Sequence, residues 1–344
     1  MRYQRVCLYP PAYEAPPHVV TSEALERRLA PLYQRLKLPE GRLELMTGIR
    51  QRRFWDRDTR PSNCAAIAGR KALELAGVAP ADISCLIFTS VSRDMLEPAT
   101  ASFVHQQLGL PEKCYVFDLS NACLGFLNGM TMLANMIELG QVKKGLVVAG
   151  ETAENLVETT IQHLLTDETL TRKSVKASFA SFTIGSGAVA MVLGDRSEHD
   201  TGHLLRGGAV RANSSHNNLC QGGHSSNEGI LMATDSEELM KQGVETALLT
   251  WRDFQAELAW AEAGIDHFFC HQVGRAHAQL LFEKLQLAPQ KNFETLPSWG
   301  NVGSVSAPLT MAVAVEQQVL RAGQKAALLG IGSGINCLML GVEW

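Results

Sequence analysis

The chain contains the same order of elements twice, and this internal duplication restricts its fold more than any other feature. One copy runs from a turn at Asn121 through a helix of small residues to a strand that ends at Gly150, and the other runs from Asn301 to Gly332. Repeats in the same order predict two similar α/β halves. The polar stretch Arg196–Gly202 interrupts the apolar pattern between them, so we expect halves over residues 1–198 and 199–344.

Short segments within the halves predict alternating helices and strands. The spacing of alanine and leucine over Pro61–Ala76 predicts an amphipathic helix. Ile83–Val91 is a short apolar run rich in β-branched residues, typical of a strand buried on both faces. The same order recurs at Leu258–Gly264 and Ile265–Cys270. Such strands between helices indicate a parallel sheet that is covered by helices.

Composition excludes several classes of function. A net charge of −4, from 31 basic and 35 acidic residues, gives no broad positive field for nucleic acid or an anionic membrane. No apolar run reaches the roughly 18 residues of a membrane span, and residues 1–10 lack an apolar signal core. The eight cysteines form no CxxC pair and are typical of reduced thiols. We therefore expect a cytoplasmic protein.

The first candidate for catalysis is Cys123, in the segment FDLSNACLGF. A strand pattern changes there to helical spacing, so the thiol stands on a turn before a helix amino terminus. This position predicts a thiol pKa below the free value of about 8.5. Gly125 permits the close packing that a sharp nucleophile turn needs. From these residues alone, a buried structural thiol is as well supported as a nucleophile.

Two polar residues follow predicted elements of the second half. His271 comes directly after Ile265–Cys270, at the sheet edge where α/β proteins bind ligands, and Asn301 lies in a glycine-rich turn that opens a helix. Taken alone, each is better explained as a structural residue, Asn301 as a helix cap. His267 shares a strand face with His271, but no further ligand accompanies them, so we predict no metal site. Together with Cys123, the two residues indicate catalysis more strongly than any one of them.

The segment ALLGIGSGIN, residues 327–336, follows a strand and is rich in glycine. It lacks both the GxGxxG spacing and the lysine of a phosphate-binding loop, so nucleotide binding is only weakly indicated. A backbone N–H near Gly334 fits the role of a donor to a thioester oxyanion better.

These segments together resemble the thiolase superfamily and, within it, the ketoacyl-ACP synthase III family. The landmarks occur in order along nearly the whole chain: TGIRQRR at 47–53, SNACLGF around Cys123, GSGAVAMVL at 185–193, HQVGR around His271, GNVGS around Asn301, and GIGSGIN near the carboxyl end. The resemblance implies an α/β thiolase fold, five-layered as αβαβα and built from two duplicated halves. It also implies a homodimer that transfers acyl groups through Cys123.

Within the superfamily, SVSRDMLEPATAS at 90–102 resembles the acyl-CoA condensing enzymes of bacterial head-to-head olefin biosynthesis. In that group a glutamate before the proline crosses the dimer interface into the partner's active site, and the matching residue here is Glu97. Joining two ordinary acyl thioesters needs a base at the α-carbon, whereas loss of CO₂ from a malonyl thioester does not. A carboxylate in an apolar tunnel is a better base than one in water. Composition alone favours a solvated loop residue.

The resemblance thus implies a ping-pong Claisen condensation of two long-chain acyl-CoA molecules to a β-ketoacyl-CoA, with no metal or organic cofactor. Cys123 takes the first acyl group. His271 and Asn301 hydrogen-bond the oxygen of the second thioester, and the N–H groups of Cys123 and Gly334 stabilise the tetrahedral oxyanion. Acyl-CoA is then the substrate, and enzymes of a downstream pathway are possible partners.

The contact with CoA departs from the ketoacyl synthase III pattern. The usual Asn after His-Gln-Ala is Gly274 here, and the Trp and Arg that hold the CoA adenine appear as Arg42 and Met46. A basic cluster is more often a solvated face than a phosphate site. The hypothesis for phosphate contact falls on the three arginines of TGIRQRR, which are Arg50, Arg52 and Arg53.

Three alternatives stay open from the sequence. A decarboxylating ketoacyl synthase would use malonyl-ACP or malonyl-CoA as the source of its carbanion. A thioesterase would release the acyl group from the cysteine to water. A non-catalytic subunit of a heterodimeric synthase is weakened because Cys123, His271 and Asn301 are all present.

Overall fold

Strands from both halves of the chain line up in one mixed sheet in the computed structural model, which describes residues 1–225 and 229–344. The strands are β1 (Val6–Leu8), β2 (Ala12–Glu14), β3 (His18–Thr21), β4 (Gln51–Phe54), β5 (Cys85–Phe88), β6 (Tyr115–Asp118), β7 (Lys144–Glu151), β8 (Gly187–Asp195), β9 (Leu204–Ala212), β10 (Cys220–Ser225), β11 (Gly229–Thr234), β12 (His267–Cys270), β13 (Lys325–Gly332) and β14 (Asn336–Glu343). The helices are α1 (Ser22–Arg28), α2 (Ala30–Leu36), α3 (Arg42–Thr47), α4 (Pro61–Ala76), α5 (Thr100–Leu108), α6 (Gly125–Glu138), α7 (Glu154–Thr166), α8 (Lys176–Phe179), α9 (Ser236–Leu258), α10 (Arg275–Leu285), α11 (Leu296–Trp299) and α12 (Ser306–Glu316). Within these described ranges, no helix is both long and apolar enough to cross a membrane.

The order of the strands repeats between the halves. Along the sheet the order is β12-β13-β14-β9-β1-β8-β7-β5-β6, and β2 pairs with β8. In the first half β6 and β7 run parallel to β5, and β8 is antiparallel to β7. In the second half β12 runs parallel to β13, and β14 is antiparallel to it. The halves join where Cys7 of β1 pairs with Leu204 of β9. The division at residue 198 stays a prediction.

Apolar side chains on both faces of the strands place helices on both sides of the sheet. In β7, Val147 shares a core with α6 and α12, whereas Leu146 shares one with α4 and α5. In β13, Leu328 belongs to the core of α6 and α12, and Leu329 to that of α9 and α10. A further core joins α1 and α2 to α7. The hydrogen-bonded sheet is continuous through β1 and β9, but its two halves lie on opposite sides of α6 and α12, since strands of both halves contribute to the core of these helices. The layers are therefore αβαβα, as the resemblance implies.

The predicted helix and strands are present, but both strands are shorter than their sequence predicts. The helix Pro61–Ala76 has the bounds that its sequence predicts. The predicted strand Ile83–Val91 is shorter, at Cys85–Phe88. It ends early because the N–H of Val91 donates to the carboxylate of Glu151 and not to a neighbouring strand. The late strand is likewise shortened, to His267–Cys270.

Helix α6 reaches strands of both halves because glycines keep side chains out of its path. A Cβ on Gly330 of β13 would lie 2.4 Å from Cδ2 of Leu124 and 2.8 Å from Cδ1 of Leu127. A Cβ on Gly129 of α6 would lie 2.9 Å from Cγ1 of Val147 in β7. Side chains in close-packed interiors do not approach so closely. These glycines therefore set the distance between α6 and the two halves of the sheet.

We expect Gly330→Ala to lower the free energy of unfolding by about 1–3 kcal/mol, because the added methyl group overpacks the contact with α6. Gly264→Ala is the matched control, since a Cβ at Gly264 meets no atom within 4 Å and the backbone there is not left-handed. Urea unfolding of both variants measures the difference. Equal stability of the two variants would contradict the close packing of α6.

Candidate active site

Cys123 lies on the turn between β6 and α6. Ala122, just before it, has a left-handed φ of 46°, and α6 begins at Gly125. A Cβ at Gly125 would lie 2.0 Å from the carbonyl oxygen of Thr89, so only glycine fits there. The predicted sharp turn before a helix amino terminus is thus present. The turn is closed by contact with the end of β5.

The end of β13 meets this turn from the second half of the chain. A Cβ at Gly332 would lie 3.5 Å from the backbone nitrogen of Cys123. The side-chain amide of Asn336 donates to Oδ1 of Asn121 at 3.1 Å, which ties the glycine-rich segment to the nucleophile turn. In the part of the chain that the structure describes, no other residue accepts a hydrogen bond from the N–H of Cys123 or from that of Gly334. Both remain available to an oxyanion.

Burial dominates the electrostatics of the thiol. It raises the pKa of Cys123 to about 12, and the nearby Cys220 and Glu151 add to the shift. The sequence-based expectation of a pKa below 8.5 is therefore wrong for the chain without substrate. The free-energy cost of removing the thiolate from water exceeds the stabilisation that it gains from the helix amino terminus and from the N–H of Cys123. Cys123 is therefore a neutral thiol at neutral pH.

His271 follows β12 and continues the pairing with β13, since its N–H donates to the carbonyl of Leu329 at 2.9 Å. The side chain is only 4% exposed, and its buried Nδ1 has no hydrogen-bond partner among the described residues. Burial lowers the pKa of His271 to about 3, and a positive charge on His277 would lower it further. The imidazole is therefore neutral at neutral pH and holds an unused polar atom.

Gln272 links His271 to the loop that carries Asn301. Its side-chain NH₂ donates to the carbonyl of Phe293 at 2.9 Å. Its carbonyl oxygen accepts from the N–H groups of Thr295 and Leu296 at 3.0 and 2.7 Å. The sequence analysis did not single out Gln272, because a polar residue next to a candidate histidine has no signal of its own.

Asn301 has its amide group fixed in one orientation. Its backbone N–H donates to Thr183, and its carbonyl accepts from Gly185, each at 2.8 Å. Its side-chain oxygen accepts from the N–H of Gly303 at 3.0 Å. No described residue accepts from the NH₂ of this side chain, so that group is left as a donor. The side-chain oxygen of Asn301 thus closes a turn at Gly303, while its NH₂ is left as an oriented donor.

The structure brings the elements of Cys123, His271 and Asn301 together through shared neighbours. His271 pairs with β13, and β13 ends beside Cys123. The Asn301 loop reaches the same place through Ser304, whose hydroxyl accepts from the N–H of Phe126 in α6 and donates to Thr89. The described residues contain no group of three His, Cys, Asp or Glu side chains arranged to hold a metal ion.

Glu151 is a buried carboxylate that the sequence analysis missed. It is the last residue of β7 and is 5% exposed. Oε1 accepts from the N–H of Val91 at 3.0 Å and from that of Ser304 at 3.4 Å, and Oε2 accepts from the N–H of Ser92 at 3.0 Å. The only sequence signal is an acidic residue at the end of the apolar run LVVAG.

Glu97 does not join this buried group within one chain. It lies in the segment between β5 and α5, where its side chain is exposed. Leu96, the residue before it, is 89% exposed, and Val91 and Met95 are also exposed. A large apolar side chain so open to water is typical of a surface that another chain covers.

The three arginines of TGIRQRR lie in different surroundings. Arg52 is 1% exposed, and its guanidinium donates to Ser22 and to the carbonyl of Phe182. The prediction that Arg52 meets CoA phosphates is therefore wrong, because the group has no access to a ligand from solvent. Arg53 donates to a backbone carbonyl and stacks over Trp299, whereas the Arg50 side chain is exposed.

Comparison with known proteins shows the family to which the chain belongs. The family model of 3-oxoacyl-[acyl-carrier-protein] synthase III matches residues 117–206, and that of the C-terminal part of the same synthase matches residues 256–344. The chain is 42% identical over 351 residues to the acyl-CoA:acyl-CoA alkyltransferase of Shewanella oneidensis. It is 38% identical over 344 residues to that of Xanthomonas campestris pv. campestris. Both alignments cover 100% of each chain.

The fold matches crystal structures of Xanthomonas campestris OleA. One, a cysteine-to-serine variant with bound lauric acid and lauroyl-CoA, matches with a TM-score of 0.94 and 36% identity over 99% of this chain and 100% of that chain. Other structures of that protein carry substitutions of the same cysteine, of a glutamate and of a histidine. That glutamate and that cysteine are separated by as many positions as Glu97 and Cys123.

The buried neutral state of His271 makes stability depend on pH. Its pKa is lowered from 6.5 to about 3, so the unfolded chain binds a proton that the folded chain does not. The stability that this provides is present above pH 6.5 and is lost as the pH falls toward 3. We expect about 2 kcal/mol of this loss at pH 5. His271→Asn should reduce the difference in urea unfolding between pH 7 and pH 5, while His18→Asn, at an exposed position, should not. Equal reductions would contradict the assignment to His271.

Proposed function

The chain belongs to the acyl-CoA:acyl-CoA alkyltransferases of the 3-oxoacyl-[acyl-carrier-protein] synthase III family, and we propose that it condenses two long-chain acyl-CoA molecules into a β-ketoacyl-CoA. The observation that carries the proposal is that the turns and strand ends bearing Cys123, His271 and Asn301 come together where the two halves of the fold meet. A Claisen condensation through an acyl-cysteine uses a thiol and neutral donors to the thioester oxygen, and it also needs a base at the α-carbon.

In the first half-reaction the sulfur of Cys123 attacks the thioester carbonyl of one acyl-CoA. The carbon–sulfur bond to CoA breaks, and the proton of the thiol ends on the sulfur of CoA. Because burial keeps Cys123 protonated, proton loss accompanies the attack and does not precede it. The N–H groups of Cys123 and Gly334 donate to the oxyanion that forms.

In the second half-reaction the neutral imidazole of His271 and the NH₂ of Asn301 donate to the thioester oxygen of a second acyl-CoA. That oxygen gains negative charge as the α-carbon loses its proton, so both bonds strengthen toward the enolate. The α-carbon then attacks the acyl group on Cys123. The thiolate leaves as the new ketone forms, and it regains a proton before the next cycle.

The base that removes the α-proton is Glu97 of the partner subunit. Within one chain the side chain of Glu97 is exposed to solvent. A second chain that covers this surface would bring it to the acyl groups. In an apolar site without water, a carboxylate is a better proton acceptor than in solvent. The proton then passes from the carboxylate to the Cys123 thiolate, which balances the cycle.

The surface near Glu97 supports a homodimer. β6 is the last strand of the sheet, and its outer edge has no partner strand among the described residues. Tyr115 on this strand is 59% exposed, and the exposed Val91, Met95 and Leu96 lie on the segment that follows the neighbouring β5. An open edge beside exposed apolar side chains is a typical site of chain association.

The proposed chemistry needs no metal ion or organic cofactor, because the thioesters carry the activated carbonyls. CoA enters as part of the substrate, and Arg50 and Arg53 remain the candidates of their cluster for phosphate contact. We place the reaction in the cytoplasm, where free cysteines such as the eight of this chain stay reduced. Enzymes that consume the β-ketoacyl-CoA are the expected downstream partners.

The decarboxylating alternative is not favoured. The alkyltransferases of Shewanella and Xanthomonas match the chain over its whole length. A synthase that releases CO₂ from a malonyl donor also has no need of a base at the position of Glu97.

Incubation of the purified protein with tetradecanoyl-CoA alone tests the proposal. We expect free CoA, an acyl adduct on Cys123 and a two-chain β-keto product or the ketone formed from it by decarboxylation, all detected by mass spectrometry. Cys123→Ala should lose the adduct and the product together. An acyl-enzyme without a carbon–carbon product would indicate a malonyl-dependent synthase, and fatty acid alone would indicate a thioesterase.

Mixing two inactive variants tests the exchange of Glu97 between subunits. In a mixed dimer, Cys123→Ala supplies an intact Glu97 to the intact Cys123 of a Glu97→Gln subunit, so one of its two sites is complete. Random reassortment of equal amounts should therefore restore roughly a quarter of the wild-type condensation activity. The control is each variant reassorted with itself, which should stay inactive. No recovery, with mixed dimers confirmed by native mass spectrometry, would place Glu97 outside the partner's site.

A further inference from the structure

Glu151 is a buried carboxylate without a cation. The described residues include no Arg, Lys or His within ion-pair distance of it. Its hydrogen bonds come from the backbone N–H groups of Val91, Ser92 and Ser304, which stabilise the ionised form, while burial opposes it by raising its pKa. Burying a carboxylate is costly unless it is fully hydrogen-bonded, so its presence calls for a specific role.

Two of the three donors begin the segment that leads to Glu97. The N–H of Val91 is bonded to Oε1 and that of Ser92 to Oε2, so both carboxylate oxygens hold this backbone. The hydroxyl of Ser92 adds a second attachment, because it accepts from the N–H of Thr152 at 3.1 Å. The segment is therefore fixed to the end of β7 at its start, although Glu97 itself is exposed.

The third donor belongs to the loop of Asn301. The N–H of Ser304 is bonded to Oε1, and a Cβ on Gly303 would lie 3.2 Å from the same oxygen. Gly303 has a left-handed φ of 54°, and its N–H is the donor that orients the side chain of Asn301. The carboxylate thus packs against the residue that sets the direction of the Asn301 amide.

We propose that Glu151 is a positioning residue that holds the Asn301 loop of its own site and the base of the Glu97 segment sent to the partner's site on one buried carboxylate. The inference rests on the proposed function, because it assigns Glu97 and Asn301 to the condensation step. Through these bonds each Glu151 positions the Asn301 donor of its own site and the Glu97 base that enters the partner's site. The acylation of Cys123 needs neither of them.

Glu151→Gln is the direct test. Its amide oxygen can keep the bonds from Val91 and Ser304, but its NH₂ then faces the N–H of Ser92, so two donors oppose each other. We expect acylation of Cys123 by tetradecanoyl-CoA to stay within about threefold of wild type, while formation of the two-chain product falls on the order of 10²-fold. Stopped-flow detection of released CoA and mass spectrometry of the product measure the two steps separately.

A second readout separates positioning from general loss of structure. The charge of Glu151 helps to raise the pKa of Cys123, with burial as the larger cause and the Cys220 thiol as the other nearby group. Alkylation of Cys123 by iodoacetamide should therefore shift to lower pH in Glu151→Gln. Glu151→Asp keeps the charge on a shorter side chain, so it should lower condensation without this shift. Glu151→Asp also keeps the test available if the glutamine variant does not fold.

Asp195→Asn is the matched control. The Asp195 side chain is fully buried and lies at the opposite end of the β7–β8 pair, where it bonds Arg5 and Ser197. This variant should lose stability and keep the wild-type ratio of acylation to condensation. Equal falls of the two rates in Glu151→Gln, or no fall of either, would overturn the inference. Failure of the wild-type protein to form the product would instead overturn the proposed function, while the alkylation profile would still report on Glu151.

Discussion

The site depends on the packing of α6 between the two halves of the sheet. The helix begins directly after Cys123, and glycines on either side let the backbone of each half come close to it: Gly125 lies against Thr89 of the first half, and Gly330 lies against Leu124 from the second. The same contacts therefore fix the thiol and the end of β13, with which His271 pairs. Neither half alone holds both a nucleophile and the two donors, which makes the duplicated architecture a condition for the chemistry.

Exclusion of water then decides the charge of each group. Burial raises the pKa of the Cys123 thiol and lowers that of His271, so the two groups that we propose to contact the substrate are neutral before the reaction. A neutral donor can bond a thioester oxygen and then strengthen that bond as charge develops there. The carboxyl group of Glu151 is also buried, which raises its pKa, and the backbone N–H groups of Val91, Ser92 and Ser304 bond to it. It is bonded to the backbone of two loops, which is a positioning contact.

Patterns in the sequence predict the layers, because strands with apolar residues on both faces need helices on both sides, and Cys123, His271 and Asn301 stand at turns after such elements. Glu151 and Gln272 cannot be predicted from the sequence, because each accepts hydrogen bonds from backbone N–H groups of loops that are distant in the chain. The cluster of Arg50, Arg52 and Arg53 gives a partly wrong prediction for a related reason. Side chains alternate between the two faces of β4, and Arg52 lies on the buried face, where its guanidinium bonds to a serine and to a backbone carbonyl and not to a phosphate.

The exposed Glu97 and the buried Glu151 are structurally connected, because Glu151 bonds to the start of the segment that carries Glu97. The base that we propose for the α-proton needs a site without water, whereas Glu97 of a single chain is exposed, so the proposed role of Glu97 depends on association of two chains. A segment that inserts into a partner subunit loses conformational entropy. The free-energy cost of that loss is smaller if the start of the segment is already fixed by hydrogen bonds. Glu151 holds that start through Val91 and Ser92, and it holds the Asn301 loop through Ser304. Because the carboxylate makes both attachments, the placement of the base in one site and of the donor in the other is linked through a single buried side chain.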